Sequence, residues 1–304
     1  MTHLPVALGS VPLANPVMTA SGTSGHGAEL ASFFDLSELG AVVVKSLASF
    51  SHGGNPAPRV QPATAGMLNS VGLQGPGIAA WITDELPALQ ASGAAVVVSI
   101  WGRRVEDYAA AAALLVDAPD CVVALEVNVS CPNVEDRSKM FAHSASATAE
   151  VIAATSVFRR PRWAKLSPNV ADLAEIAGAA LDAGAEAVTL INTVLGLAID
   201  AKTRTLSLGA GRGGLSGPAI RPVALRAVYD CREAFPNATI VGVGGVVSGL
   251  DAAELIMAGA NAVQVGTATF EDPRAPIRVQ RELLAWCARE GVADINELVG
   301  IAQR

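Results

Sequence analysis

The stretch TIVGVGGVVSGLDAAELIMAGANAVQVGTAT, residues 239–269, sets out the plan of the fold. It contains two short β-branched runs, Thr239–Val243 and Ala262–Gly266, on either side of a helical segment, Ser248–Ala258, that stops at Gly259. Continuous apolar runs are typical of strands covered on both faces, and a glycine after a helical segment is typical of a left-handed helix end. This order predicts a parallel sheet with crossover helices.

The same alternation extends over the rest of the chain. We predict the other strands near Pro16–Ala20, Ala41–Lys45, Ala95–Ile100, Val122–Asn128, Trp163–Leu166 and Ala187–Asn192. The helical segments include Ile78–Ala91, Val105–Val116, Ala171–Ala183 and Pro218–Ala234. Eight strands interleaved with helices predict a (β/α)8 TIM barrel in the α/β class, formed by one domain over residues 1–304. A doubly wound open sheet is the alternative, because periodicity does not show closure.

Three segments interrupt the alternation, namely residues 46–77, 129–143 and 193–217. Each follows the C-terminal end of a predicted strand, the face on which barrel enzymes build their active sites. Gly9 lies between two apolar runs and predicts an N-terminal hairpin at the opposite end of the barrel. Residues 209–214, GAGRGG, match a dinucleotide fingerprint, but they do not follow the first strand of a βαβ unit. We interpret them as a flexible loop and not as a nicotinamide site.

Composition excludes several classes of protein. Of the 304 residues, 51% are hydrophobic, which argues against a disordered chain, and the net charge of -7 argues against a nucleic-acid partner. No apolar run approaches the roughly 18 residues of a membrane helix, and the N-terminus does not resemble a signal peptide. The four cysteines are widely spaced and form no CxxC pair, so we expect no metal site, disulfide framework or iron–sulfur cluster. We expect a cytoplasmic protein without membrane association.

Polar and small residues mark the ends of the predicted strands. They are Ser21-Gly22, Lys45-Ser46, Ser99, Asn128, Lys165, Asn192-Thr193, Gly244-Gly245 and Gly266-Thr267. In a barrel these residues converge on one mouth, although polar strand ends that merely face water are common individually. The glycines after the last two strands are where barrels often bind phosphate, which favours a phosphorylated cofactor.

Cys131, in NVSCPNV (128–134), follows a buried strand and is flanked by polar residues. A thiol there can serve as a nucleophile, a metal ligand or a base, and no His–Asp pattern accompanies it. A free thiol has a pKa of about 8.5, so a thiolate base would need nearby donors or positive charge. The other cysteines, Cys121, Cys231 and Cys287, fit the description of small buried hydrophobic residues.

Taken together, these motifs resemble the dihydroorotate dehydrogenase family over nearly the whole chain. The matching segments are NPVMTASGT (15–23), VVKS (43–46), GNPAPR (54–59), GMLNSVGLQGPG (66–77), NVSCPNV (128–134), KLSPNV (165–170), INTVLGLAID (191–200), GGLSGPAIRP (213–222) and GVGGV (242–246). Each segment is weak alone, whereas their order and spacing are specific. INTVLGLAID and GGLSGPA resemble the two-subunit, class 1B form most.

The resemblance implies FMN across the barrel mouth. The residues implied to hold it are Ser21, Lys45, Ser46, Ser99, Asn128, Lys165, Ile191, Gly217, Gly244, Gly245, Gly266 and Thr267. Lys165 would lie at the pyrimidine end of the flavin and stabilise its reduced, anionic ring. Gly244, Gly245, Gly266 and Thr267 would hold the phosphate. Family members usually have asparagine where this chain has Ser99.

The substrate implied by the resemblance is dihydroorotate, with orotate as product. The residues implied to bind it are Lys45, Asn69, Ser70, Val71, Gly72, Leu73, Asn128, Asn133, Asn192 and Thr193. Their amides suit a ring of amide edges with a carboxylate. Cys131 would act as general base at C5 while a hydride passes from C6 to FMN. The loop then reads Glu135–Met140, where family members usually have small residues and glycines.

Two other activities and one non-catalytic role compete with this reading. One activity is that of a related FMN barrel acting on another pyrimidine or an enone, and the other is a fumarate-using dihydroorotate oxidase. The non-catalytic alternative is a flavin subunit that only relays electrons, against which the presence of Cys131 argues. The chain offers no nicotinamide fingerprint and no cysteine cluster of its own. The resemblance therefore implies a partner subunit with FAD and an iron–sulfur centre linked to NAD, around a homodimer core in a heterotetramer.

Overall fold

The computed structural model describes residues 2–130 and 140–303. The strands are β1 (Val6–Leu8), β2 (Val11–Leu13), β3 (Val17–Thr19), β4 (Val42–Val43), β5 (Val60–Ala63), β6 (Gly66–Asn69), β7 (Val96–Ile100), β8 (Val122–Asn128), β9 (Arg162–Lys165), β10 (Ala187–Leu190), β11 (Val194–Leu197), β12 (Ile199–Asp200), β13 (Thr205–Leu206), β14 (Arg212–Ser216), β15 (Thr239–Val243) and β16 (Ala262–Val265). The α-helices are α1 (Ile78–Asp84), α2 (Leu86–Ala91), α3 (Val105–Leu114), α4 (Ala145–Ala154), α5 (Leu173–Asp182), α6 (Arg221–Ala234), α7 (Gly249–Ala258), α8 (Ala268–Glu271) and α9 (Ala275–Glu290).

Eight parallel strands form the central sheet in the order β3-β16-β15-β10-β9-β8-β7-β4. The two edge strands also meet, because Met18 forms a parallel bridge with Ala41 and the Thr19 N–H donates to the Ala41 carbonyl over 3.3 Å. This contact closes the sheet into a barrel. The predicted (β/α)8 barrel is confirmed, and the open doubly wound sheet is excluded.

All eight predicted strands recur, each end within two residues of the prediction, and the second is the shortest, with only Val42–Val43 in β4. The predicted helix Ile78–Ala91 was wrong in one respect, because it divides into α1 and α2. Pro87 lies in the first turn of α2, where its missing N–H is tolerated, whereas the same residue inside one long helix would remove a hydrogen bond. The predicted N-terminal hairpin is confirmed as β1 and β2.

The hairpin lies at the N-terminal end of the barrel. The Gly9 N–H donates to the Thr239 Oγ1 at the start of β15, and Ser10 donates to the Glu186 carboxylate just before β10. The opposite end of the barrel is therefore left to the long connections.

A second sheet covers that C-terminal end. Its antiparallel order, β11-β14-β6-β5, joins the connection over residues 46–77 to the connection over residues 193–217. We predicted both as irregular, and interpreted GAGRGG as a flexible loop. For residues 212–214 that interpretation was wrong, since Arg212–Ser216 pairs with β11 on one side and β6 on the other, whereas residues 209–211 lie in a turn before the strand. Glycine fits at both Gly213 and Gly214, because a Cβ on Gly213 would overlap the Asn69 carbonyl oxygen and a Cβ on Gly214 would overlap the Thr193 side chain.

The helices pack their apolar faces on the outside of the barrel. In α7, Ser248 and Asp251 form a capping box, and Leu255 and Ile256 are fully buried. Among the described residues, no helix combines the length and the hydrophobicity needed to cross a bilayer. Within the same ranges, no cluster of His, Cys, Asp and Glu has the geometry to hold a metal ion.

Candidate active site

A cavity of about 370 Å³ opens at the C-terminal ends of the barrel strands, beneath the second sheet. Most of the predicted site residues line this one space. They are Ser21, Lys45, Ser46, Asn69, Ser70, Val71, Gly72, Leu73, Asn128, Lys165, Ile191, Asn192, Thr193, Gly217, Gly244, Gly245, Gly266 and Thr267. The structure thus brings together residues that are up to 246 positions apart in the sequence, from Ser21 to Thr267.

Ser99 is placed differently from the prediction, and two other predicted residues lie outside the described part of the chain. Ser99 is fully buried behind Ser46, with the two hydroxyl oxygens 2.9 Å apart, and it does not line the cavity. Its side chain therefore acts on the cavity only through Ser46. Cys131 and Asn133 lie outside the described residues, as does most of the loop Glu135–Met140; Met140 itself lines the cavity.

A chain of amide and hydroxyl groups crosses one wall of the cavity. The Asn128 Nδ2 donates to the Ser46 Oγ over 3.3 Å, and the Asn192 Nδ2 donates to the Asn128 Oδ1 over 3.1 Å. The Tyr108 hydroxyl donates to the Asn128 carbonyl over 2.8 Å and anchors the end of β8. These bonds fix which amide edge faces the cavity, so the wall presents a defined pattern of donors and acceptors.

Lys165 forms the charged floor of the cavity. Its Nζ lies 3.4 Å from the Glu126 Oε1, 3.3 Å from the Gln264 Oε1 and 3.4 Å from the Ser21 Oγ. Lys165 is 4% exposed, whereas Glu126 and Gln264 are 0% exposed and do not line the cavity. A buried ion pair therefore supports the lysine from inside the barrel.

Lys45 provides a second cation at the side of the cavity. Its Nζ donates a hydrogen bond to the backbone carbonyl of Gln74. The side-chain Oε1 of Gln74 in turn accepts a hydrogen bond from Arg59. Burial, and then the positive charge of Arg59, lower the pKa of Lys45 to about 8. The lysine is therefore cationic below about pH 8 and largely neutral above it.

The loop after β15 fits an anion. Gly244 and Gly245 both have positive φ values, +134° and +75°, and a Cβ on Gly245 would lie 2.5 Å from the Arg221 Cβ. Among the residues that the structure describes, none accepts a hydrogen bond from the backbone N–H of Gly245 or Val246. Buried N–H groups in proteins nearly always have a partner, so this bare backbone suits a bound phosphate.

Several residues of the cavity were not predicted from the sequence. Val60, Met67 and Leu195 come from the second sheet, and Ser216 reaches the cavity with its Oγ 2.8 Å from that of Thr267. Their position depends on pairing between two distant connections, which leaves no local sequence signal. Ser130, beside Cys131, also lines the cavity, and its buried Oγ has no partner among the described residues.

The described part of the cavity carries cations and amides but no acidic side chain. Among the lining residues that the structure places, Lys45 and Lys165 are ionisable, and none carries a carboxylate or an imidazole. This arrangement suits an anionic or electron-rich planar ligand with amide edges. A proton acceptor for it must come from a lysine, from a lining hydroxyl group such as that of Ser130, or from the segment that begins at Cys131.

The chain is similar over nearly its whole length to known proteins of one family. The family model described as dihydroorotate dehydrogenase matches residues 3–286. The chain is 44% identical to dihydroorotate dehydrogenase B (NAD(+)), catalytic subunit, from Geobacter metallireducens, over 99% of this chain and 98% of that protein. It is 46% identical to the protein of the same name from Desulforudis audaxviator, over 98% and 97%. It is also 46% identical, over 98% of each, to a Solibacter usitatus protein provisionally named dihydroorotate dehydrogenase A (fumarate).

Proposed function

The chain belongs to the dihydroorotate dehydrogenase family, and from this premise we propose that it oxidises dihydroorotate to orotate in pyrimidine biosynthesis, with FMN as its cofactor. The whole of residues 1–304 would serve as one catalytic domain in the cytoplasm. The observation that carries the proposal is the convergence of two lysines, three asparagines and the bare glycine backbone on one cavity.

FMN fits the groups that this cavity offers. Its phosphate suits the unpaired N–H groups of Gly245 and Val246, and its flavin edge suits the Lys165 ammonium group on the floor. Ser21, Ile191 and Gly217 would line the ring and ribityl chain between these two ends. When bound, FMN supplies hydride acceptance, which the side chains of a protein do not provide.

The side chains of the cavity would bind the substrate, orient it and remove its proton. The Lys45 cation would hold the carboxylate of dihydroorotate, while Asn69, Asn128 and Asn192 would orient its amide edges. Asn133 and the segment from Ser70 to Leu73, with Thr193, would complete this shell. Cys131 would take the C5 proton as general base, since the described lining offers no carboxylate or imidazole for that step.

A flavin analysis and a substrate titration test this proposal together. We expect the purified protein to be yellow, to release one FMN per chain on denaturation, and to lose its flavin absorbance when dihydroorotate is added without oxygen. Release of FAD, or no flavin after reconstitution, would contradict the cofactor. FMN that is reduced by another pyrimidine or by an enone-forming substrate, but not by dihydroorotate, would contradict the substrate.

For the electron acceptor we propose a separate subunit with FAD and an iron–sulfur centre that passes electrons to NAD. The names of the relatives from Geobacter and Desulforudis, which describe a catalytic subunit of an NAD(+) enzyme, support this choice. The catalytic chains would form the homodimer core of a heterotetramer. The second candidate is a free-standing fumarate-using enzyme, which the 46% identical Solibacter protein favours by its provisional name.

An assay under three conditions, with NAD, with fumarate, and with NAD plus the candidate subunit, separates the two candidates. We expect the isolated chain to turn over dihydroorotate slowly with NAD and with fumarate, and to gain rapid NAD turnover when the candidate subunit is added. Rapid turnover with fumarate by the chain alone would support the second candidate instead.

The pH dependence of orotate binding reports on Lys45. Because burial and Arg59 lower the pKa of Lys45 to about 8, we expect orotate affinity to be constant at lower pH and to fall as pH rises through this value. The loss should approach about tenfold per pH unit, as expected when one proton must be bound. Titration of the FMN spectrum with orotate over about pH 6 to 10 measures the curve.

Two variants identify the group responsible. Lys45→Arg stays charged throughout this range, so the break should vanish, whereas Arg59→Gln removes a nearby cation and should move it to higher pH. Lys202→Gln, an exposed lysine outside the cavity, should leave the curve unchanged. A break near pH 8 that persists in Lys45→Arg belongs to another group.

A further inference from the structure

A polar cluster lies in the interior of the barrel below the cavity and is formed by Glu126 on β8, Lys165 on β9 and Gln264 on β16. The Gln264 Nε2 donates to the Glu126 Oε2 over 2.7 Å. Since β16 and β8 lie four strands apart in the sheet order, this hydrogen bond crosses the inside of the barrel. The cluster therefore ties together two opposite walls directly beneath the floor of the cavity.

Burial makes this cluster costly unless all its members are paired. Glu126 and Gln264 are 0% exposed, and a carboxylate in such surroundings is strongly destabilising unless it is paired and hydrogen-bonded. An apolar trio of similar volume would pack the barrel at least as well. Packing alone therefore gives no reason for an acid at this position.

The geometry points to a different reason. We propose that Glu126, assisted by Gln264, is a positioning residue that fixes the Lys165 ammonium group at the floor of the cavity. The inference rests on the proposed function, in which Lys165 meets the flavin. The inference assigns a role to Glu126 and Gln264, neither of which lines the cavity.

Hydrogen-bond direction explains how Glu126 reaches the lysine by two routes. Its Oε1 lies 3.4 Å from the Lys165 Nζ and supplies the countercharge. Its Oε2 holds the Gln264 Nε2, and this turns the Gln264 Oε1 toward the Lys165 Nζ at 3.3 Å. Without the carboxylate, the ammonium group keeps only neutral acceptors at more than 3 Å, so its position at the floor of the cavity is no longer fixed.

The midpoint reduction potential of the bound flavin measures this effect without any turnover. Reduction adds negative charge next to Lys165, so losing the fixed cation must lower the potential. In the FMN-loaded chain we expect Glu126→Gln to shift the redox equilibrium at least tenfold toward the oxidised form, which is about 30 mV for a two-electron couple. Dye equilibration under anaerobic conditions gives the value.

Lys165→Met and the double variant show whether Glu126 acts through the lysine. We expect Lys165→Met to lower the potential at least as far, and Glu126→Gln to lower it no further in that background. Thr189→Val is the matched control, because Thr189 is fully buried, pairs in register with Lys165 and has an unpartnered hydroxyl. It should leave the potential unchanged.

Each other result has a defined meaning. An unchanged or raised potential in Glu126→Gln, with a lowered one in Lys165→Met, would overturn the positioning role and leave the proposed function intact. An unchanged potential in Lys165→Met would overturn the placement of the flavin, and this inference with it. If Glu126→Gln does not fold, Glu126→Asp keeps the charge but withdraws it by one methylene. Its potential should then fall between those of wild type and Lys165→Met, and a wild-type value would overturn the proposal.

Discussion

Replacing Cys131 by alanine should slow the reduction of bound FMN by dihydroorotate by about 10²–10⁴-fold, the usual contribution of a general base. The other candidate bases are poorer. Ser130 has a hydroxyl group, which ionises far less readily than a thiol, and Lys45 is cationic below about pH 8 and, in the proposed function, holds the substrate carboxylate. FMN content and orotate affinity should be retained, because the change removes one sulfur atom. Stopped-flow absorbance of the flavin measures the rate.

Cys121→Ala is the matched control for this prediction. Cys121 is a half-buried free thiol outside the cavity, and burial raises its pKa, so its removal should leave the rate unchanged. Cys231 is also excluded as a base, because burial raises the pKa of its thiol to about 12. A nearly unchanged rate in Cys131→Ala would reassign the base, with Ser130 and its unpartnered hydroxyl as the next candidate.

The second large effect is expected at Gly245. An alanine there must adopt a φ of +75° and place its Cβ 2.5 Å from the Arg221 Cβ at the start of α6, so the loop or the helix has to move. The left-handed backbone alone costs about 1–2 kcal/mol, and displacement of the N–H groups adds to this. We expect FMN to bind about 10–100-fold more weakly, which corresponds to about 1.4–2.8 kcal/mol. Fluorescence titration of the apoprotein with FMN measures the loss.

Gly291→Ala separates backbone strain from damage to the site. Gly291 ends α9 with a φ of +72°, and no atom lies within 4 Å of the position of a Cβ. The Gly291→Ala protein should have a free energy of unfolding lower by about 1 kcal/mol and an unchanged affinity for FMN. Equal FMN affinity in the two variants would contradict a phosphate site at Gly245.

Local pattern was sufficient for the barrel strands but not for their closure. Val122–Asn128 and Thr239–Val243 match the sequence prediction to the residue, because a short apolar run bounded by polar or glycine residues has few alternatives. Closure depends on the bridge between Met18 and Ala41, a contact between the first two barrel strands that no periodicity encodes. The second sheet was missed for a related reason. Glycine-rich β14 has no strand propensity of its own and is ordered by its neighbours.

The site was predictable where residues end a strand and unpredictable one layer deeper. Lys45, Asn128 and Lys165 follow directly from strand ends that converge on one mouth. Ser99 has the same sequence signature, yet the structure places it behind Ser46. Glu126 carries no signal at all, since a single acid in the run ALEVN looks like an exposed position on a strand. Whether these residues bind FMN and dihydroorotate stays a prediction for the experiments above.

The cover of the cavity is built jointly by two connections that are far apart in the chain. Since β6 pairs with β14, adding or removing a residue within either strand changes the register of their pairing. Attempts to redesign substrate preference by grafting one loop from a relative should therefore yield misassembled covers. Transplanting residues 46–77 and 193–217 as a matched set preserves the shared ladder. For directed evolution, these two segments form one exchangeable module, and libraries that recombine them independently will consist mainly of inactive members.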